Sequence, residues 1–220
     1  MFKTKALRLL GALAAFAVCG GANAASIQIT EWMYNGSGVG SLGEFVEFTN
    51  TGTAAVNMNN WSFDDSSRTP GSQSLSAFGS VLPGESVIFT DDTAANFRSN
   101  WGLAASVKVI GGNTNNLGRA DEINLYDASN ALIDRLTYDD QTIGGVRTNN
   151  VSGNIIPTQL GLNHAASAVK SLTGDSYGSY ASTLGEAGNP GKYPAPVPLP
   201  AAAWLLVSGL GLFGSAARRR

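Results

Sequence analysis

The sequence predicts an all-β fold, an antiparallel β-sandwich with a signal peptide before it and one transmembrane helix after it. Three observations predict this. Between residues 26 and 140, about seven short strand-like runs are separated by clusters of Gly, Asn, Ser and Asp. Only residues 94–101 carry a helical pattern there. At each end of the chain an apolar run lies beside basic residues.

The first run holds Ile27, Ile29 and Trp32. The second, Glu44 to Asn50, carries Phe45, Val46 and Phe48 and stops at a Thr51-Gly52 turn. Trp61 and Phe63 mark a third. Leu82-Pro83-Gly84 turns the chain into a fourth, Glu85 to Thr90, with Val87, Ile88 and Phe89. Asp91-Asp92-Thr93 then offers helix N-caps, Ala94, Ala95, Phe97 and Trp101 an apolar stripe, and Gly102 a stop. Val107 to Ile110 is a short strand. Glu122 to Tyr126 and Leu132 to Tyr138 are two more, and the turn residues Asp127-Ala128-Ser129-Asn130 join them as a hairpin. Short strands at this spacing argue for an immunoglobulin-like sandwich. Its core is expected to hold Ile29, Phe45 or Val46, Trp61, Val87, Phe89, Ile123, Leu125 and Leu136.

The ends fix the compartment. Lys3, Lys5 and Arg8 precede an apolar stretch from Leu9 to Val18, and Ala22-Asn23-Ala24 is a small-x-small cleavage site. Residues 1–24 therefore read as a secretory signal peptide, cut beside Ala22 and Ala24. At the other end, Ala201 to Ala217 is uncharged and makes a helix of roughly 26 Å, close to the thickness of a hydrocarbon core. Arg218, Arg219 and Arg220 follow as a stop-transfer cluster and cytoplasmic tail, since each costs roughly 2.5 to 3.5 kcal/mol at the bilayer centre. The expected organisation is thus a signal peptide at 1–24, a sandwich at 25–140, and a Gly-, Ser- and Asn-rich extension of that domain at 141–192. A Pro-rich linker at 193–200, a transmembrane helix at 201–217 and a basic tail at 218–220 complete it. The extension is read either as an ordered region wrapped on the sandwich or as a flexible stalk.

Charge and cysteine usage narrow the function. Six of the 14 basic residues lie in the two end segments, leaving eight against 16 acids, a passenger net charge of −8. Such a passenger repels phosphate backbones, so nucleic acid is excluded as a partner. The only cysteine, Cys19, lies within the signal peptide, so the exported domain is held by its core without disulfides.

Catalytic groupings are sparse. His164 is the sole histidine and stands in a Gly- and Asn-rich stretch without an acidic or cysteine neighbour, which leaves a triad or zinc reading without partners. Glu44 and Glu47, three apart in one strand, face opposite sides and form no catalytic pair unless a bulge intervenes. Asp64, Asp65, Asp91 and Asp92 are the candidate ligands for a hard cation such as calcium, with Asp139-Asp140 a third such pair. No Asp-x-Asp-x-Asp-Gly loop accompanies them, and Asp is favoured in turns and caps in any case. No metal and no cofactor is expected.

Two resemblances sharpen the reading. Val197-Pro198-Leu199-Pro200-Ala201, the apolar helix and the arginines together resemble the C-terminal sorting tails of the PEP-CTERM class, in its VPLPA-CTERM variant. That resemblance implies an exosortase-type processing enzyme as partner, with transient or retained anchoring in the inner membrane. The passenger resembles the lamin-tail domain. Ile27-x-Ile29-x-Glu31, Glu44-Phe45-Val46-Glu47-Phe48-Thr49-Asn50-Thr51-Gly52 and Trp61-Ser62-Phe63-Asp64 carry the likeness. Leu82-Pro83-Gly84-Glu85, Asp121-Glu122-Ile123-x-Leu125-Tyr126-Asp127 and Gly188-Asn189-Pro190-Gly191 continue it. This second resemblance implies an immunoglobulin-like accessory or interaction module. The resulting expectation is an exported, non-catalytic surface or biofilm-matrix protein, held first in the periplasm and then at the surface. Its partners would be extracellular polysaccharide or surface proteins. An extracellular hydrolase, or a calcium- or carbohydrate-binding module, is the alternative.

Overall fold

The computed structural model describes residues 27–194. Its strands in chain order are β1 (Ile27–Met33), β2 (Phe45–Asn50), β3 (Val56–Asn57), β4 (Ser62–Asp64), β5 (Gln73–Ser74), β6 (Ser80–Val81) and β7 (Ser86–Thr90). The helix α1 (Ala94–Trp101) leads to β8 (Lys108–Ile110), β9 (Ala120–Tyr126), β10 (Leu132–Asp139), β11 (Gly153–Asn154), β12 (Val169–Lys170), β13 (Tyr180–Ala181) and β14 (Ala187–Gly188). A six-stranded sheet, ordered β12-β11-β1-β2-β7-β8, faces a four-stranded sheet, ordered β10-β9-β4-β5. The fold is mostly β and immunoglobulin-like.

The main core fills the space between the sheets. Ile27, Ile29 and Trp32 from β1, Val46 and Phe48 from β2, and Val87 and Phe89 from β7 meet Phe63, Ile123, Leu125 and Leu136 from the facing sheet. Strict alternation forbids Ile29 and Trp32 from sharing a face. A β-bulge between Ile29 and Glu31 resets the register and permits it. A second, smaller core lies on the outer face of the larger sheet, where Met33, Phe45 and Ile88 pack under Phe97 and Trp101 of α1. Phe45 sits edge-on to Phe97 at 5.4 Å and to Trp101 at 6.0 Å. The open choice between Phe45 and Val46 thus resolves as both, one in each core.

Two expectations need correction. Trp61 is only half-buried and packs against the rim of the main core, and Phe63 takes the central position. The sheet is also not wholly antiparallel, because β8 pairs parallel to β7. Helix α1 carries the chain back between them, as a parallel connection requires. The Thr93 side chain caps α1 by accepting from Asn96 N at 3.2 Å, and Gly102 closes it in the left-handed conformation.

Residues 141–193 belong to the same fold. β11 pairs with β1, β12 with β11, and β13 with β14. The last stretch, 188–193, runs as a strap over the outer face of the larger sheet. Tyr193, which the sequence places at the head of the Pro-rich segment, is buried against Tyr177 and donates its hydroxyl to Ile155 O. The signal peptide with Ala22 and Ala24, the motif Val197–Ala201, the helix 201–217 and Arg218 to Arg220 lie outside the described residues. Among the described residues no helix is long and apolar enough to cross a membrane.

Candidate functional site

The bulge in β1 creates the main concentration of polar groups. It turns both Thr30 and Glu31 to the outer face and sets Glu31 directly opposite Glu47 of β2. Both carboxylates are fully buried. The strap closes over them: Asn189 N donates to Glu31 Oε1 at 2.8 Å, and Gly191 N donates to Glu47 Oε2 at 2.7 Å. Gly191 adopts a φ of 90°, which presents its amide without a steric penalty. Ser152 also donates to Glu31, and Thr30 Oγ1 donates to Glu47 Oε1 at 2.9 Å. Burial, and secondarily the charge of Glu47, pushes the Glu31 carboxyl well above the usual carboxylate range. Burial likewise raises Glu47 to about 7, against the hydrogen bonds it accepts.

Two further buried carboxylates anchor loops. Glu44 accepts from Leu117 N at 2.7 Å and Asn113 Nδ2 at 3.1 Å, holding the 113–117 loop, and burial raises it to about 9. Glu186 accepts from Ser37 N at 2.6 Å, Asn100 Nδ2 at 2.7 Å and Ser182 Oγ at 2.8 Å, tying the Ser37 loop, α1 and the turn between β13 and β14 together. Each of these groups is buried and accepts from backbone, amide or hydroxyl donors, so none stands ready as an exposed base.

The surface offers a different kind of place. An open groove of about 430 Å³ on the smaller sheet is lined by Arg68, Asp121, Glu122, Thr137, Tyr138 and Asp139 among others. Arg68 grips Glu122 with two bonds, Nε to Oε2 at 2.7 Å and Nη2 to Oε1 at 2.6 Å. The Arg68 guanidinium holds Glu122 down at about 2.

The candidate cation ligands do not converge. Asp64 accepts from Thr69 N, Ser67 Oγ and Asn115 Nδ2, and Asp65 accepts from Ser67 N in a turn. Asp91 accepts from Gly43 N, whereas Asp92 binds Thr93 N and Asn96 Nδ2 at the start of α1. Asp140 pairs with Arg119. Among the described residues no three His, Cys, Asp or Glu side chains gather in a way that would hold a metal. His164 is exposed and its ring Nδ1 meets only Ser167 Oγ, at 3.0 Å. Glu44 and Glu47 point to opposite faces, as period two requires. Sequence reasoning missed the Glu31–Glu47 pair because the bulge that aligns them has no local signature.

The geometry and the sequence point the same way in one comparison. The profile of the lamin tail domain matches residues 21–140, more than half of the chain. This chain belongs to the lamin tail domain family. No curated protein and no solved structure gives a match. The lamin tail domain is an immunoglobulin-like interaction module and not an enzyme family. In this lamin tail domain protein the strap that covers Glu31 and Glu47 lies beyond the matched span, yet it completes the larger sheet's outer face.

Proposed function

We propose that this chain is an exported, non-catalytic surface or biofilm-matrix protein whose lamin tail domain serves as an interaction module, delivered by an exosortase-type sorting enzyme. One observation carries the reading. The described domain is packed through Tyr193, ahead of Val197–Ala201, so a cut within that motif leaves every packed residue of the described domain in place. The engagement of Glu31, Glu44, Glu47 and Glu186 by backbone, amide and hydroxyl donors fits a module whose polar interior serves structure. Its partner, a surface polysaccharide or protein, meets the open polar groove around Arg68, Glu122 and Thr137. Mass spectrometry of the mature protein tests the sorting half, with a C-terminus within or beside Val197–Ala201 expected. A surface form that retains Arg220 would reject processing. Hydrolysis of an ester, glycoside or phosphoester substrate by the purified chain would reject the non-catalytic half.

A further inference from the structure

We propose that the buried polar cluster beneath the strap is a proton lock: a single proton on Glu31, opposite Glu47, keeps residues 188–193 docked on the sheet, and its loss releases them. The groups involved come from four places in the chain. β1 supplies Glu31, β2 supplies Glu47, β11 supplies Asn154, and the strap supplies Asn189 and Gly191. Register puts Glu31 opposite Glu47 on one side and opposite Asn154 on the other.

Two adjacent carboxylates in a dry interior repel strongly, and ionising both is costly without a counter-charge. Among the described residues neither has an ion-pair partner. The groups facing them only add to the difficulty. Asp175, in the turn before β13, faces Glu31, Tyr180 faces both carboxylates, and Tyr193 faces Glu47. None of these brings positive charge.

The hydrogen bonds place the proton. Glu47 receives a donor on each oxygen, as an ionised carboxylate does. Glu31 receives two donors on Oε1, from Ser152 and Asn189, and none on Oε2. Asn154 spends its amide N–H groups on Ser171 Oγ and Asn189 Oδ1 and leaves its own Oδ1 without a donor. Glu31 Oε2 and Asn154 Oδ1, on residues paired across β1 and β11, are thus buried acceptors that lack a hydrogen, and a proton on Glu31 supplies one at its own Oε2. A calcium ion takes six to eight oxygens, and two orphan acceptors fall well short of that. The upward shift of the Glu31 carboxyl is in keeping with a proton held there.

The lock predicts local opening before global unfolding, since the strap's amides are the donors on these carboxylates and the main core lies on the other side of the sheet. The test is amide hydrogen exchange of the full chain, read by mass spectrometry from about pH 5 to about pH 9 and corrected for base catalysis. Protection of peptides covering 186–193 should fall roughly tenfold per pH unit above the midpoint, the linkage of one proton, while β9 peptides stay protected. Glu31→Gln carries a permanent neutral donor and should keep the strap docked at high pH. Glu47→Gln removes the repelling charge and should move the midpoint to higher pH. Strap protection that is flat with pH in the wild-type chain would overturn the proposal, without need of any variant. So would a Glu31→Gln profile identical to wild type, or high-pH protection restored by added calcium, which would identify a metal site instead.

Discussion

Asp134 Oδ2 accepts a hydrogen bond from Ile29 N at 2.8 Å, so a single carboxylate on β10 stitches one sheet of the sandwich to the other. Its second oxygen takes Arg135 N at 2.8 Å. The same strand is a sheet edge, and with Thr137 N bonded to Asn163 Oδ1 two of its amides are closed by side chains, which blunts it against pairing with other chains. Replacing Asp134 by Ala strands a buried amide of the bulged strand. The expected loss is about 1–3 kcal/mol in chemical denaturation. A neutral result would show that Ile29 N finds another acceptor.

The buried carboxyls set the pH dependence of stability. Burial raises Asp134 to about 6, Glu47 to about 7 and Glu44 to about 9. Each binds its proton more tightly folded than unfolded. Stability is therefore greatest below the unfolded values, near 4, and declines as pH rises through the folded ones. Glu122, held at about 2 by Arg68, acts in the opposite sense and loses its contribution as pH falls from about 4.5 toward 2. The melting temperature should peak mildly acidic and fall toward about pH 9. A steady rise over that range would contradict the assignment.

Gly188 lies where a Cβ would come within 2.9 Å of Glu31 Oε1 and Ser152 Oγ and 3.0 Å of the Trp101 ring. Gly188→Ala is expected to cost about 1–3 kcal/mol by overpacking. Faster proteolysis within 186–193, with circular dichroism of the sandwich unchanged, is the signature to look for.

Phe63 sits edge-on to Phe89 at 5.2 Å in the main core, whereas Trp61 keeps contact with solvent. Phe63→Ala should cost about 3–5 kcal/mol, and Trp61→Ala distinctly less despite the larger ring. Urea midpoints of the two variants decide between them. The reverse order would move the centre of the core toward the rim.

Strands β1, β2, β4, β7, β8, β9 and β10, the Asp127–Asn130 hairpin and the caps of α1 could be read directly from the residues, whereas the two-residue β3, β5 and β6 could not. Alternation, turn chemistry and capping are local, set by side chains within a few positions of one another. The hairpin shows this: Asp127 and Asn130 make the turn with their own atoms, Asn130 N donating to Asp127 O and Asn130 taking the left-handed conformation. The sequence likewise indicated that Glu44 and Glu47 would part. Tertiary structure alone decided that Glu31 meets Glu47, because a bulge at Thr30 is stabilised by burying Ile29 and Trp32 on one face, which no short window of sequence encodes. It also decided the fate of residues 141–193. β11, β12 and the strap are two- to six-residue pieces with weak propensity of their own, held by β11 pairing with β1, by β12 pairing with β11, and by contacts of the strap with distant residues, among them its amide donors to Glu31 and Glu47. Strand pairs this distant carry a loop-closure cost that only a formed sheet offsets, so their structure exists in the fold and not in the segment.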